Sequence, residues 1–295
     1  FRSHPQIIGF SNRHIYQSRL RLRKNPEWGN RLPVPGGVHS IRVSGQAQQG
    51  SRGRSWVNKS EAQKVVKLIQ RLRENDSRSL SLGVVTPFSA QKEFIRDQLS
   101  NLDLASDILV DSAHGFQGDE RDIMIFSPVV ARGITPSACR WIESPPNLIN
   151  VALTRAREAL FVVADIDFCK RQEGILRQLA KYVDEVQLLR DTSEAELELF
   201  SWLVVEGITP EVHTHVGDLE VDFVLKSNTG QKIAIEVDGK EFHEDRVEQD
   251  RARDVYLQGQ GFKVLRLAAR EVFETPFEVI SQIREQITNS DGIGG

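Results

Sequence analysis

The sequence predicts an α/β protein built from two successive sheet-and-helix segments, and three observations carry that prediction. Short apolar runs such as Leu82–Val85 and Ile123–Ser127 alternate with amphipathic stretches such as Ala62–Leu72, the pattern of a parallel sheet whose strands are joined by helices. Beyond about residue 190 the order changes to αβββαβ, so a second segment begins there. Charge changes with it: residues 1–100 hold 18 Lys and Arg against 6 Asp and Glu, and residues 191–295 hold 10 against 22. At 295 residues the chain has room for about two domains of ~100–200 residues each.

The elements follow in order. Residues 24–55, with Pro33-Val34-Pro35-Gly36-Gly37 and Gly50-Ser51-Arg52-Gly53-Arg54, read as irregular, with at most a short strand near Val38–Val43. Ala62, Val65, Val66, Ile69 and Leu72 recur at helical spacing, and Asn58 with Glu61 fits a capping box. A buried strand at Leu82–Val85, a helix over Ser89–Leu99, a strand at Ile123–Ser127, a helix over Ile149–Arg157 and a strand at Leu160–Ala164 complete the first segment. Residues 166–192 read as a helical connector. The second segment reads as a helix from Ser193 to about Val205, strands near Glu211–His215, Leu219–Leu225 and Lys232–Asp238, a polar helix Val247–Gln258, a strand Phe262–Leu267 and a helix Phe277–Ile287.

Composition excludes several classes. No apolar run approaches the ~20 residues of a membrane span. Cys139 and Cys169 are too few for a disulfide framework or a four-ligand zinc site, and a reducing cytoplasm is the expected setting. No signal peptide is visible; the chain opens on Phe1, so a preceding portion is expected. The basic first third suits a polyanionic partner, whereas the acidic last third opposes unaided nucleic-acid binding. Two solvated surfaces of opposite sign are the simpler alternative.

Four segments of the first part carry a motif signature. They are Phe1-Arg2-Ser3-His4-Pro5, Val85-Thr86-Pro87-Phe88 with Gln91, Val110-Asp111-Ser112-Ala113-His114-Gly115-Phe116-Gln117-Gly118-Asp119-Glu120, and Asn150-Val151-Ala152-Leu153-Thr154-Arg155-Ala156-Arg157. In this order they resemble the Upf-like branch of the superfamily-one helicases, over residues 1–168. The resemblance implies a RecA-like parallel-sheet domain, the second of the two lobes that clasp ATP. It makes Arg155 the arginine finger and Arg2 a second γ-phosphate contact, and it lays Gln117, Gly118 and Glu120 along the nucleotide. Thr86 and His114 would touch a single strand. The chemistry agrees, since fixed guanidinium groups stabilise charge developing on a transferred phosphoryl group. Taken alone, Arg155 reads more safely as a surface salt bridge. The 295 residues contain no Gly-x-x-x-x-Gly-Lys-[Ser/Thr] loop, and Asp119-Glu120 precedes its strand rather than ending one. ATP is therefore expected to bind only with the missing first lobe, and this chain alone is not expected to hydrolyse it.

The last hundred residues hold Glu196 on a helix, Asp222 within a strand, Glu236-Val237-Asp238-Gly239 closing the next strand and His243 on the following loop. Strand alternation puts Glu236 and Asp238 on one face, where Asp222 of a neighbouring strand can meet them. Carboxylate oxygens are hard ligands for Mg²⁺ or Mn²⁺. The pattern resembles the PD-(D/E)xK nucleases, and within them the Vsr-like endonucleases, over residues 193–272. Ser193-x-x-Glu196, Val221-Asp222-Phe223, Ile235-Glu236-Val237-Asp238-Gly239 with His243, and Asp250-x-x-Arg253 through Val264-Leu265-Arg266 carry it. The resemblance implies an α/β restriction-endonuclease-like fold with Asp222, Glu236 and Asp238 as metal ligands, His243 as general acid/base and Glu196 as accessory acid. It departs from the pattern at Asp238, where the superfamily has lysine; Lys240 is the nearest substitute. Duller readings stand beside these: Glu196 completing a cap with Ser193, Asp250 pairing with Arg253 or Arg251, and the carboxylate trio as an inert solvated edge. His213 and His215 fall on one strand face without a third zinc ligand. Trp28, Trp56, Trp141 and Trp202 are base-stacking candidates by type, although tryptophans ordinarily pack.

The expected organisation is a second RecA-like helicase lobe over residues 1–168, a helical connector over 169–192, an endonuclease domain over 193–288 and a tail over 289–295. The expected partner is DNA, single-stranded or forked, with the first ATPase lobe of the same protein and no membrane. An RNA-directed motor, or a nuclease fold that only binds DNA, are the rival readings.

Overall fold

The computed structural model describes residues 3–17, 19–20, 32–51, 53, 55–74, 80–116, 119–143, 147–239 and 247–288. Contacts divide the chain into two compact units, Phe1–Leu188 and Leu189–Gly295. Among the described residues, no helix is long and apolar enough to cross a membrane.

The first unit opens with α1 (Pro5–His14), capped by His4, whose Nδ1 accepts the Gln6 N–H at 3.3 Å, with Pro5 at the first turn where a missing N–H costs nothing. Gln6 Oε1 accepts the Val38 N–H at 2.9 Å and anchors β1 (Gly37–Arg42). Gly37 has φ +95°, and a Cβ there would sit 2.0 Å from that oxygen, so the junction requires glycine. A two-residue ladder, β2 (Gln48–Gln49) with β3 (Trp56–Val57), precedes α2 (Lys59–Glu74). Then come β4 (Leu82–Val85), α3 (Ser89–Ser100), β5 (Ile108–Asp111), β6 (Arg121–Phe126), α4 (Pro136–Glu143), α5 (Asn147–Thr154), β7 (Ala156–Ala164), α6 (Ile166–Lys170) and α7 (Gly174–Thr192). The sheet has order β1-β7-β6-β4-β5 with every pair parallel.

Ala62, Val65, Ile69 and Leu72 of α2 pack with Ile95 and Leu99 of α3 onto Leu82, Val84, Ile123, Ile125, Phe161 and Val163 of the strands. Each such fully buried aliphatic side chain stabilises the unit by ~1.5–3 kcal/mol. The cap of α2 is only half a capping box. Asn58 Oδ1 accepts the Glu61 N–H at 3.2 Å, but the Asn58 N–H donates to Gln91 Oε1 at 2.9 Å. The Glu61 carboxylate instead accepts from the Ser127 hydroxyl (2.5 Å) and the Val129 N–H (2.9 Å), gripping the loop after β6.

Several elements differ from the sequence expectation. The Val38–Val43 region is a full edge strand paired with β7, because Gln6 and Gly37 lock its entry. Helix α1, strand β5 and helix α4 occur where no element is expected. The helix over Ile149–Arg157 ends at Thr154, since Ala156 pairs with Arg121 and starts β7 four residues earlier than expected.

The second unit runs α8 (Glu194–Val205), β8 (Glu211–Val216), β9 (Leu219–Lys226), β10 (Lys232–Asp238), α9 (Val247–Gly259), β11 (Phe262–Ala268), α10 (Ala269–Glu274) and α11 (Pro276–Thr288). Its sheet has order β11-β10-β9-β8: β10 and β11 are parallel, the other two pairs antiparallel. Helices α10 and α11 pack on α8, where Trp202 is buried and meets Phe277 at 5.1 Å between ring centroids. Helix α9 packs on β11, and Leu257 joins Val221, Val224, Ala234 and Phe262 in a small core. This is the expected α/β domain, its sheet mixed, held on apolar contacts that leave the polar ends of β9 and β10 free to build a site.

Candidate functional site

In the second unit, one row of side chains crosses the sheet. The β9–β10 ladder pairs Ile235 with Phe223, and one step further sets Glu236 opposite Asp222. The β8–β9 ladder is paired at Val212–Phe223 and at Thr214–Val221, which sets His213 opposite Asp222 on its other side. Glu236 pairs with Arg266 of β11. Where the β9–β10 backbone pairing ends, the Asp222 carboxylate replaces it: Oδ2 accepts the Val237 N–H at 2.7 Å.

Two carboxylates thus stand side by side with little water. Burial lifts the Asp222 pKa from 3.8 to about 6; Glu196 adds to the rise, while the Val237 N–H, His213 and Arg253 oppose it. Burial followed by the Asp222 charge lifts Glu236 from 4.5 to about 7, against Arg253 and Arg266. Arg253 reaches from α9 with its fork on Glu236, Nε to Oε1 at 3.1 Å and a terminal nitrogen to the same oxygen at 2.9 Å. That terminal nitrogen also donates to the Glu220 carbonyl.

The expected pairing of Asp250 with Arg253 or Arg251 is therefore corrected. Arg253 serves Glu236, and Asp250 faces Arg266 at 3.4 Å. Packing of α9 on β11 decides this over the local three-residue spacing. Asp238 does not join the carboxylate pair: Arg266 holds its Oδ1 at 2.8 Å and also binds Asp254. Burial works against the Arg266 charge, yet Asp254, Asp238 and Asp250 outweigh it and raise its pKa.

Glu196 does more than cap. The Ser193 hydroxyl accepts the Glu196 N–H at 3.3 Å, and the Glu196 carboxylate lies 2.8 Å from His213 Nε2. His213 has φ +45°, a strained conformation for a non-glycine residue. Its partner in the His-x-His pair, His215, is 71% exposed against 12% for His213, and both imidazoles face the Glu220 carboxylate, His213 Nδ1 at 3.5 Å and His215 Nε2 at 3.8 Å. His243 and Lys240 lie outside the described residues.

The donor chemistry suits a hard divalent cation. Two desolvated carboxylates, the Asp222 charge raising the Glu236 pKa and the Glu196 charge that of Asp222, are relieved by positive charge between them, and Mg²⁺ commonly takes one or two carboxylates with water and substrate phosphate for the rest. Among the described residues no group of three or more His, Cys, Asp or Glu is arranged around a common metal position, and Asp238 is turned to Arg266.

In the first unit, Arg155 sits at the break between α5 and β7, and its buried Nε has no hydrogen-bond partner among the described residues. Helix α5 packs on α1 and on the short 3-10 turn Ala113–Phe116. Asn150 Nδ2 donates to the Tyr16 hydroxyl at 3.0 Å, and Thr154 Oγ1 to the Asn150 carbonyl at 2.8 Å. Glu120 is half-buried before β6. Thr86 follows β4; its N–H donates to the Asp111 carbonyl at 3.1 Å, and its buried Oγ1 has no hydrogen-bond partner among the described residues. Arg2, Gln117, Gly118 and the His114 side chain lie outside the described residues. A cavity of about 630 Å³ opens beside Thr86 at the carboxyl ends of β4 and β5.

Comparison with known proteins agrees with this division. The AAA_12 family, an AAA domain, matches residues 1–167, and the REase_MTES_1575 family matches residues 196–287. The chain is 28% identical over 176 residues to Regulator of nonsense transcripts 1 of Dictyostelium discoideum, covering 56% of this chain and 13% of that protein. It is 30% identical over 195 residues to the 5'-3' DNA helicase ZGRF1 of Mus musculus, 62% of this chain and 10% of that one. It is 32% identical over 181 residues to the RNA helicase Mov10l1 of Homo sapiens, 56% and 15%. The crystal structure of the C-terminal domain of a possible DNA helicase from Lactobacillus plantarum WCFS1 aligns at TM-score 0.33 and 17% identity, covering 56% of this chain and 86% of that chain. The chain thus spans about a tenth to a sixth of these three relatives. With its parallel sheet and its motif segments in order, the chain belongs to the AAA_12 family of Upf-like helicases and carries behind that domain a restriction-endonuclease-like domain.

Proposed function

We propose that this chain is part of a DNA helicase–nuclease. Residues 193–288 hydrolyse DNA phosphodiesters with a divalent metal, and residues 1–168 are the second lobe of an ATP-driven translocase, with residues 169–192 as connector. The observation that supports the nuclease most is the Asp222–Glu236 pair, set opposite each other in register and desolvated.

Asp222 and Glu236 would hold Mg²⁺ or Mn²⁺, with Asp238 as a third ligand once released from Arg266. A bound cation would lower the pKa of an attacking water and screen the phosphate. The chain's own groups do the rest. The Val237 N–H fixes the Asp222 carboxylate, and Arg253 orients Glu236 while bringing a guanidinium to the phosphate side of the site, in the role that Lys at position 238 would otherwise fill. Glu196 holds the His213 imidazole beside Asp222. His243, from the adjoining loop, would exchange a proton with the leaving oxygen.

For the lobe, Arg155 with its unsatisfied Nε would stabilise the γ-phosphoryl group, with Arg2, Gln117, Gly118 and Glu120 along the nucleotide and Thr86 and His114 on the strand. ATP would enter only with the first lobe. The cytoplasm is the expected compartment.

Two further readings have an observation each. The names of two relatives point to transcripts and RNA, which favours an RNA-directed motor. The Asp238–Arg266 pair leaves two carboxylates together rather than three, which favours a nuclease fold that only binds DNA.

One experiment separates them: single-stranded, duplex and forked DNA, and RNA, incubated with the chain in Mg²⁺, Mn²⁺ or EDTA. Metal-dependent cutting of DNA that falls at least ~100-fold in Asp222→Ala/Glu236→Ala, with binding kept, is expected. Cutting confined to RNA supports the RNA reading. Binding without any cutting, unchanged by metal, supports the binding module and overturns the nuclease.

A further inference from the structure

The row across the second sheet holds one residue that the carboxylate pair does not require. His213 has φ +45°, a conformation that costs a non-glycine residue energy and persists only where its surroundings hold it. The deviation is confined to that residue, because the rungs on either side, Val212–Phe223 and Thr214–Val221, keep one register. Glycine would take this backbone without strain, so the strain is borne for the sake of the imidazole. The side chains of His213 and Glu196 are 12% and 13% exposed, which leaves little room for water between them.

The ring faces a carboxylate at each nitrogen. Nε2 lies 2.8 Å from Glu196 Oε2 on α8, and Nδ1 lies 3.5 Å from Glu220 Oε1 on β9. An imidazole held in this way has no nitrogen left for water or a leaving oxygen, and a general base needs one. Burial raises the Asp222 pKa most, Glu196 adds to the rise and His213 opposes it, so the three side chains stand within electrostatic reach. Glu196 and Asp222 therefore form a second pair of neighbouring carboxylates beside Asp222 and Glu236. A second hard cation would suit them as the first suits the other pair. The imidazole already stands there, opposite Asp222 and against Glu196.

We infer that His213 is a positioning residue that fills the place of a second metal ion: by holding Glu196 and Glu220, it leaves Asp222 and Glu236 as the pair that takes one cation. This role rests on the nuclease reading of the second unit and deepens it, because it sets the number of ions the site uses. Two-ion sites clamp both the attacking and the leaving oxygen of a phosphodiester; with one ion, the leaving oxygen falls to protein groups. Glu196 then anchors the imidazole and is not itself a ligand.

The test is titration of the 295-residue chain with Mn²⁺ in the absence of DNA, with free Mn²⁺ read by electron paramagnetic resonance. The ions counted are those absent from Asp222→Asn/Glu236→Gln, which sets aside weak binding to the acidic surface. Wild type should bind one ion. His213→Gly, which relieves the backbone, should bind two, melt no lower than wild type and cut DNA about 10–100-fold more slowly at saturating metal. His213→Asn tolerates the same φ but is too short to face both carboxylates, and should behave alike. His213→Gly/Glu196→Gln should return to one ion. Two ions in the wild type, or one ion in both His213 variants, overturns the role and leaves the nuclease reading standing. No Mn²⁺ bound by the wild type overturns the role as well, and if DNA is also left uncut in Mg²⁺ and Mn²⁺ the nuclease reading falls with it.

Discussion

A buried carboxylate such as Glu236 keeps its charge near neutral pH only with help, and the Arg253 fork supplies it. The guanidinium is planar and permanently charged, so it can hold both Glu236 oxygens while presenting remaining N–H groups to a phosphate. Residue 238, two positions on, is the carboxylate Asp238 and is neutralised separately by Arg266. The two arginines are therefore not equivalent: Arg266 is engaged by three aspartates, whereas Arg253 faces the reactive pair. Arg253→Ala is expected to lower the DNA cleavage rate by about 100–1,000-fold, the usual loss when one fixed charge-stabilising donor is removed. Arg253→Lys should recover part of it, since charge without the fork is enough to face a phosphate but not to orient Glu236. Cleavage kinetics with a parallel melting curve measure this; an unchanged rate in Arg253→Ala would remove the residue from the chemistry.

At the scale of elements, the first unit depends on how the start of α2 is tied to the loop after β6. Glu61 makes that tie while fully buried, and burial lifts its pKa from 4.5 to about 8 against the Ser127 and Val129 hydrogen bonds. A carboxyl whose folded pKa exceeds its unfolded one takes up protons on folding between the two values. Its contribution to stability is complete below about pH 4.5 and is lost as pH rises toward 8. The melting temperature of the chain should therefore fall between pH 6 and pH 9, and Glu61→Gln, which keeps an acceptor for Ser127 and Val129 but cannot ionise, should flatten the fall. An equal slope in both proteins would refute this role. Elements of this kind show what sequence can and cannot reveal. Helices α2 and α3 and strands β8 to β11 are legible because their apolar spacing repeats and they are long enough to show it. Strand β5 has four residues with only alternate ones buried, and α4 is eight residues long, too short for periodicity to stand out. The end of α5 is hidden for another reason: Arg155, Ala156 and Arg157 are all strong helix formers, and strand pairing of Ala156 overrides propensity. In the site, alternation exposes Asp222 and Glu236, but His213 and Arg253 enter through cross-strand register and the packing of α9, which no local pattern records.

Over the whole molecule, charge and chemistry are divided. The basic excess lies in residues 1–100 and the acidic excess in residues 191–295, while the carboxylates expected to hold metal lie in the acidic part. A polyanion should be drawn first to the basic part and repelled by the other until cations screen it. Binding of a single strand should then show the salt dependence of a phosphate-tracking surface. About four phosphate contacts give a slope near −3 in log affinity against log salt, at −0.7 per contact for a single strand. The division predicts that this slope is set by the first unit. Asp222→Asn/Glu236→Gln removes two negative charges from the second unit, so it should abolish cutting while leaving the slope unchanged. Anisotropy titrations from 50 to about 300 mM salt, with EDTA present, make the comparison. A slope near zero in the wild type would mean that the basic third does not carry the strand. A slope that steepens in the double variant would mean that the acidic unit contacts the strand during binding and does not wait for delivery by the first unit.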